Sequence, residues 1–444
     1  MLLASSLLLL TVTAPPQLAC YAQALELVPA TGEVKVEVAP VYDARTWAFS
    51  ARWDDSQMNN LEMRRHMAKF GLKGTFYLNG TDPAGKFGES YARQLTEGGF
   101  SIGGHGQTHR DLTTLPANEV FLEVMAVKMD RESQLDVPIN SYAFAYGRYE
   151  NKEQPAILEG VTESLRRAGY HHNVYTSFVR DNPHLAPGEF STGLQVVPGD
   201  KAVDEAKFNE NLDKAVTKWP EAYRKTSYCL FLGVHAWQQG EVWNDIDALY
   251  AKLGGRPDWW YCNQTEYAAY HRQRLYTRLE LGEPAAVSRR LTVVRPEPSE
   301  LGDLVPLTLL LSGVAEVRLN GQALPARTQG DRLVVNLPHA PDHQLPRRIS
   351  QVALPELSAT AVAVPDLPGL QVALNHEAGT RALVLQLTTA QPWAAAEVAF
   401  RLPPVYTTGV VKKELGPLPV GSSEVRIELP PEREGELWQR GPRL

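Results

Sequence analysis

The chain reads as an α/β protein, a parallel sheet or barrel followed by β-sandwich modules. Three observations predict this. Between about residues 40 and 275, short apolar runs alternate with amphipathic stretches that close on glycine. From about residue 285 the helical spacing stops, and short β-rich runs follow, split by Pro and Gly. At 444 residues the chain exceeds one ordinary core, so more than one domain is expected.

The elements follow in order. WAFSARW (47–53) is apolar and aromatic, reads as a strand, and runs into Asp54-Asp55. NNLEMRRHMAKFG (59–71) carries helical spacing and stops at Gly71. KGTFYLN (73–79) predicts a second strand, SYARQLTEGG (90–99) a helix, and FSIGGH (100–105) a third strand. ANEVFLEVMAVKMDRESQL (117–135) is a long amphipathic helix. SYAFAYG (141–147), YHHNVYT (170–176) and SYCLFLGVH (227–235) predict strands, and AILEGVTESLRRAG (156–169) a helix closed by Gly169. Strands joined by helices run parallel, which gathers chemistry at their C-terminal ends. Past 285, LTVVRPE, LTLLLSGVAEVRLNG, RLVVNLP, QVALN, ALVLQLTT, AEVAFRLPP and SSEVRIELP predict one or two β-sandwich modules. Of 38 aromatic residues only Trp393, Phe400, Tyr406 and Trp438 lie beyond 284. Sugar-binding sandwiches stack sugars on exposed aromatics, so these modules read as packing or spacing units.

Composition narrows the function classes. Hydrophobic content of 43% and charged content of 21% describe a globular protein, and a net charge of -7 offers no basic footprint for nucleic acid. Residues 1–24, MLLASSLLLLTVTAPPQLACYAQA, combine a long apolar run, no acidic residue and a small-x-small ending at Ala22-Gln23-Ala24. That is the pattern of a secretory signal peptide cut after about Ala24. The expected organisation is a signal at 1–24, an α/β domain at 25–284 and a β-rich region at 285–444. Export to the periplasm, the extracellular space or the cell surface follows, with no membrane span in the mature chain. Cys20 after Leu18-Ala19 raises lipoprotein anchoring, but Gln17 stands where an aliphatic residue is usual. Cys229 and Cys262 can pair in an exported protein, or sit buried as small apolar residues.

Three polar clusters fall at the ends of expected strands: Asp54-Asp55, His105 with His109, and His235. Singly, each has a plain structural account, as a turn, a cap or a hydrogen-bonded histidine. Jointly, on parallel strands, they share one rim. A carboxylate and two imidazoles form a common open Zn²⁺ ligand set that leaves a position for water. His171-His172 lies in a strand, where neighbours face opposite ways, and does not suit one site. His66 sits on a helix and reads as solvated. His339, His343 and His376 show no ligand pattern.

The motif series resembles the polysaccharide deacetylases of carbohydrate esterase family 4. The matching stretches are Trp53-Asp54-Asp55, Lys73-Gly74-Thr75-Phe76-Tyr77, His105-Gly106-Gln107-Thr108-His109, Phe144-Ala145-Tyr146-Gly147-Arg148 and Gly233-Val234-His235. Asp258-Trp259-Trp260-Tyr261, leading to Thr265-Glu266-Tyr267, looks like a closing segment. The resemblance spans about 40 to 275 and implies an irregular (β/α) barrel. It implies Asp54 as general base, His235 as general acid, and Asp55, His105 and His109 as ligands of Zn²⁺ or another divalent ion. The activity implied is hydrolysis of an N-acetyl or O-acetyl group from an acetylated glycan. A metal ion would lower the pKa of its water to about 7, and a backbone N–H near Arg148 would hold the oxyanion. Tyr146, Arg148, Tyr149 and Trp237 are candidate substrate-binding residues.

The chain departs from the family pattern at four places. Ser56 replaces a common glycine, Gly106 a serine or threonine, and Ala145 the arginine that orients the base. The expected Pro-Tyr-Gly is Gly147-Arg148-Tyr149. Two rival readings stand beside the deacetylase: a glycoside hydrolase on a similar barrel, which needs a second rim acid, and a glycan-binding surface protein without turnover.

Overall fold

The computed structural model describes residues 18–30, 32–80, 85–151, 153, 154, 156–174, 192, 193, 205–224, 227–233, 235, 236, 242–284, 287–345, 362, 363, 369–376, 380, 382–394, 396–401 and 410–430. Two strands come first, β1 (Cys20–Pro29) and β2 (Lys35–Val38). The α/β region follows as β3 (Trp47–Asp54), α1 (Asn59–Lys69), β4 (Gly74–Leu78), α2 (Glu89–Thr96) and β5 (Ser101–Gly104). It continues with α3 (Ala117–Leu135), β6 (Ser141–Tyr142), α4 (Ala156–Arg167), β7 (His172–Asn173), β8 (Thr192–Gly193), α5 (Glu205–Asp213) and α6 (Pro220–Arg224). It closes with β9 (Cys229–Leu232), α7 (Val242–Leu253), β10 (Trp259–Tyr261) and α8 (Gln264–Tyr276).

Eight of these strands form one parallel sheet in the order β7-β6-β5-β4-β3-β9-β8, with β10 beside β3. Both β4 and β10 pair with β3, the first along Ala51–Asp54 and the second along Trp47–Phe49. The alternation of β3 explains its position at the centre. Trp47, Phe49, Ala51 and Trp53 are fully or almost fully buried and pack with Met63 and Met67 of α1. The opposite face carries Arg52 and Asp54, which lie across from Thr75 and Tyr77 of β4. The hydroxyl of Tyr77 bonds with Ser141 and donates to Gln264. A buried polar layer therefore leads up this face to the strand ends.

The expected elements are observed with shifted ends. The strand expected at 141–147 is only Ser141–Tyr142, because Ala145–Gly147 forms a tight turn with Tyr146 at φ 58°. The histidine pair is buried: His171 lines the junction with the β region and His172 sits in β7 at zero exposure. His66 is not solvated. It bonds Asp247 at 2.6 Å and stacks on Trp243, tying α1 to α7.

The β region comprises β11 (Arg278–Leu281), β12 (Arg289–Pro296), α9 (Pro298–Leu301), β13 (Leu307–Ser312), β14 (Val314–Leu319), β15 (Gln322–Ala323), β16 (Ala326–Gln329) and β17 (Arg332–Leu337). A second set is β18 (Val362–Ala363), β19 (Leu370–His376), β20 (Ala382–Thr389), β21 (Ala396–Arg401), β22 (Val410–Leu415) and β23 (Gly421–Glu428). Sheets β11-β12-β1-β14-β15 and β16-β17-β13-β2 enclose Leu25, Leu27, Leu291, Val293, Leu309, Leu311, Val335 and Leu337 as a sandwich core. The second set pairs as β18-β19-β20-β23 and β21-β22 around Leu385, Leu387, Leu415 and Leu418.

This sandwich corrects the expected domain boundary. Residues 20–38 belong to it and not to the α/β domain, because β1 is an inner strand between β12 and β14. The strand also starts before the expected cut after Ala24. Cys20–Ala24 pair with Thr292–Pro296, Gln23 donates to Pro338 O at 3.1 Å, and Tyr21 bonds His339 at 2.8 Å. The two cysteines expected to be able to pair are free thiols, both fully buried, in a cluster with Val41, Ala48 and Tyr267. Burial pushes both thiols up, so they behave as small apolar groups. Among the described residues no helix is long and apolar enough to cross a membrane.

Candidate active site

Asp55 directly follows β3 with φ 72°, a left-handed turn that takes its carboxylate off the strand's alternation and toward β5. Its Oδ1 lies 3.3 Å from His105 Nε2 and 3.2 Å from His109 Nε2. His235, paired with Asp54 by a parallel bridge beyond β9, brings its Nε2 to 3.6 Å from the other carboxylate oxygen. All four groups sit at the C-terminal ends of β3, β5 and β9, as the strand order requires.

The donor set fits a divalent ion. Ligands about 2.0–2.1 Å from a tetrahedral centre are about 3.3–3.4 Å from one another, and the Asp55 distances match. His105 Nδ1 is bonded to Ala143 O at 3.0 Å, which holds the proton there and leaves Nε2 as the ligand atom. Ligand atoms of Asp55, His105 and His109 all lie within 4.8 Å of one another. His105 is buried, whereas His109 and His235 each keep 28% of their side-chain surface, so one side of the cluster is open.

Electrostatics inside the cluster follow from burial and from mutual charge. Burial pushes Asp55 up, but the His105 hydrogen bond and the charges of His105, His109 and His235 outweigh it and hold the carboxyl below its ordinary value. For His105 burial acts downward, and the charge of Asp54 with the Asp55 hydrogen bond reverses it. Burial holds His109 and His235 below the ordinary imidazole value, and for His109 the neighbouring His105 adds to the effect.

The loop 105–109 is built differently from the family pattern. Gly106 has φ 80°. A Cβ there would stand 3.1 Å from Glu123 Oε2. Glu123, on α3, is buried and accepts from Thr108 N at 3.0 Å and from the Thr108 hydroxyl. Ser56 has a partner too. Its N–H donates to Asn79 Oδ1 at 3.2 Å, its Oγ accepts from Asn79 N at 3.1 Å, and Asn79 Nδ2 reaches His105 O at 3.0 Å. These bonds lock the loops after β3, β4 and β5 together.

Of the candidate substrate-binding residues, Tyr146 is 66% exposed and its ring centroid lies 4.8 Å from that of His109. Arg148 differs from expectation. Its guanidinium holds Asp111 at 2.8 Å, and its N–H donates to Ala145 O at 3.1 Å, so this N–H is already engaged within the turn. Tyr149 is half-buried against Phe144 and packs on the core. Trp237 lies outside the described residues. A cavity of about 310 Å³ lined by Phe100, Ser101, Leu135, Asn140 and Asp303 lies at the opposite, N-terminal ends of the strands. Sequence reasoning missed Glu123, Asn79 and Arg52, which ion-pairs with Asp54. Only Arg52 left a signal, its i, i+2 spacing from Asp54 on one strand face.

Fold and site together define a parallel α/β domain whose strand ends bring together three side chains able to hold a metal ion, flanked by a further carboxylate and imidazole. A family model described as polysaccharide deacetylase matches residues 52–160 of the 444-residue chain. No curated protein sequence matches the chain. Similar solved structures include a family 4 carbohydrate esterase from Streptomyces lividans, 12% identical over 47% of this chain and 89% of that one, TM-score 0.32. A polysaccharide deacetylase from Bacillus cereus is 14% identical over 49% and 91%, TM-score 0.33. A pseudoenzyme of the same esterase family from Bacillus anthracis is 13% identical over 52% and 69%, TM-score 0.34.

Proposed function

We propose that the protein hydrolyses acetyl groups from an acetylated glycan at a centre formed by Asp55, His105 and His109. The convergence of these three side chains carries the reading. A divalent ion held there supplies Lewis acidity and a water of lowered pKa. Asp54 takes the proton from the water that attacks the acetyl carbon. The C–N or C–O bond to the sugar breaks, and His235 protonates the departing amine or hydroxyl, leaving acetate and the free sugar group. Tyr146 offers an exposed ring beside His109 on which a sugar face can stack. The reading takes the chain to be exported, as its N-terminal pattern suggests, and takes Zn²⁺ as the ion.

The test is metal content by mass spectrometry with acetate release from N-acetylchitopentaose and from acetylated xylan. One ion per chain and acetate release that falls at least about 100-fold in Asp54→Asn support it. Full metal content with no acetate from either glycan refutes it. A binding protein without turnover is the second reading, favoured by Ala145 in place of the family's arginine and by the engaged Arg148 N–H. Glycan binding in that same inactive, metal-loaded protein would establish it.

A further inference from the structure

Arg52 carries no role in the family pattern, yet it makes the principal contact of the candidate base. Its Nε donates to Asp54 Oδ1 at 2.8 Å, and its Nη2 donates to Asp54 Oδ2. Both side chains leave β3 on one face, two residues apart. The Arg52 side chain is 11% exposed and that of Asp54 4%. This is a desolvated two-point pair and not a surface contact. The guanidinium also lies 5.8 Å from the Tyr77 ring centroid, and Tyr77 is itself anchored through its hydroxyl. A rigid strand and an anchored ring therefore fix the guanidinium, and the guanidinium fixes the plane of the carboxylate.

The pair answers a problem set by Asp54-Asp55. Two adjacent carboxylates beside a divalent cation are both attracted to it. Asp55 reaches the histidines through its left-handed turn. Asp54 directly precedes Asp55 and is bridged to His235 at the same rim, so without a restraint it can move to the same ion and cease to be a base. A bidentate guanidinium takes one lone pair on each oxygen and balances the charge, leaving the other lone pairs for a proton. Ala145, where the family's arginine aligns, has only a methyl group to offer.

We infer that Arg52 is the positioning residue for Asp54, holding it as a base and keeping it out of the metal's ligand set. The inference rests on the deacetylase reading above. Its test uses the full chain loaded with Zn²⁺ or Co²⁺, comparing Arg52→Met, Arg52→Lys, Asp54→Asn and the double variant Arg52→Met/Asp54→Asn. In Arg52→Met, metal stoichiometry stays at one, kcat for acetate release falls about 10- to 100-fold and KM changes less than about twofold. The visible absorption of the Co²⁺ form changes as Asp54 becomes a ligand, and the double variant removes that change. In the Asp54→Asn background the Arg52 substitution adds no further loss of kcat. An unchanged Co²⁺ spectrum in Arg52→Met, or an unchanged kcat, overturns the inference. Should Arg52→Met fail to fold, Arg52→Lys, which keeps the charge but not the fork, is read by the same criteria. If the unsubstituted protein releases no acetate, the deacetylase reading fails, and the Co²⁺ spectra alone still decide whether Arg52 restrains Asp54.

Discussion

Gly106→Ser puts back a residue that the family commonly carries between its two histidines, and here it is expected to damage the site. The backbone at 106 has φ 80°, where a residue with a Cβ is strained by about 1 kcal/mol. That Cβ would sit 3.1 Å from Glu123 Oε2, so the carboxylate must retreat by a few tenths of an ångström. Oε2 accepts from Thr108 N at 3.0 Å, and weakening one such charge-assisted bond costs roughly 1.5 kcal/mol. The sum is about 2–3 kcal/mol. Because His105 and His109 bracket the strained residue, part of this loss should appear as weaker metal binding. Thermal unfolding of the chelator-treated protein measures the first component, with a fall in Tm of about 4–8 °C for the α/β unit. Competition with a zinc indicator measures the second, with an affinity reduced roughly tenfold. If Gly106→Ser melts within 1 °C of the parent and binds zinc equally well, the argument from φ and Glu123 is wrong.

Asp55→Asn should abolish stoichiometric zinc and lower acetate release at least about 100-fold while leaving the fold intact by circular dichroism. In Gly233→Ala the new Cβ would meet Arg52 O at 2.6 Å and the Trp53 ring at 2.7 Å at φ 101°, so denaturant unfolding should show a loss of about 3 kcal/mol or more. Acid stability should depend on His172, which burial holds down to about 3. The unfolded chain protonates this histidine near 6.5 and the folded one does not, so stability is full above about pH 6.5 and falls as pH drops toward 3. The contribution is about 2 kcal/mol at pH 5. His172→Gln should flatten that part of the stability–pH curve, and an unchanged slope between pH 6.5 and 4 would refute the assignment.

Much of the fold was legible because it is written in local periodicity. Helices such as 117–135 and strands such as 47–53 declared themselves by which face was apolar, and both stand within a residue of expectation. The strand at 141–147 failed because Tyr146 turns left-handed, a conformation its residue type does not announce. The N-terminal strands were missed as part of the sandwich, although Leu25 and Leu27 alternate, because their partners lie some 260 residues away in sequence.

What the sequence by itself determined was the rim. Parallel βα units carry the residues after each strand to one edge, so Asp54, Asp55, His105, His109 and His235 had to gather wherever their strands stood side by side. Only the tertiary structure decided how those groups are held. It set Arg52 on Asp54, Glu123 beneath Gly106, Asn79 between Ser56 and His105, and it engaged the Arg148 N–H in a turn. Where strands and helices fall along the chain follows from local signals, whereas these contacts join side chains whose approach depends on how whole elements pack, and no short-range pattern records that.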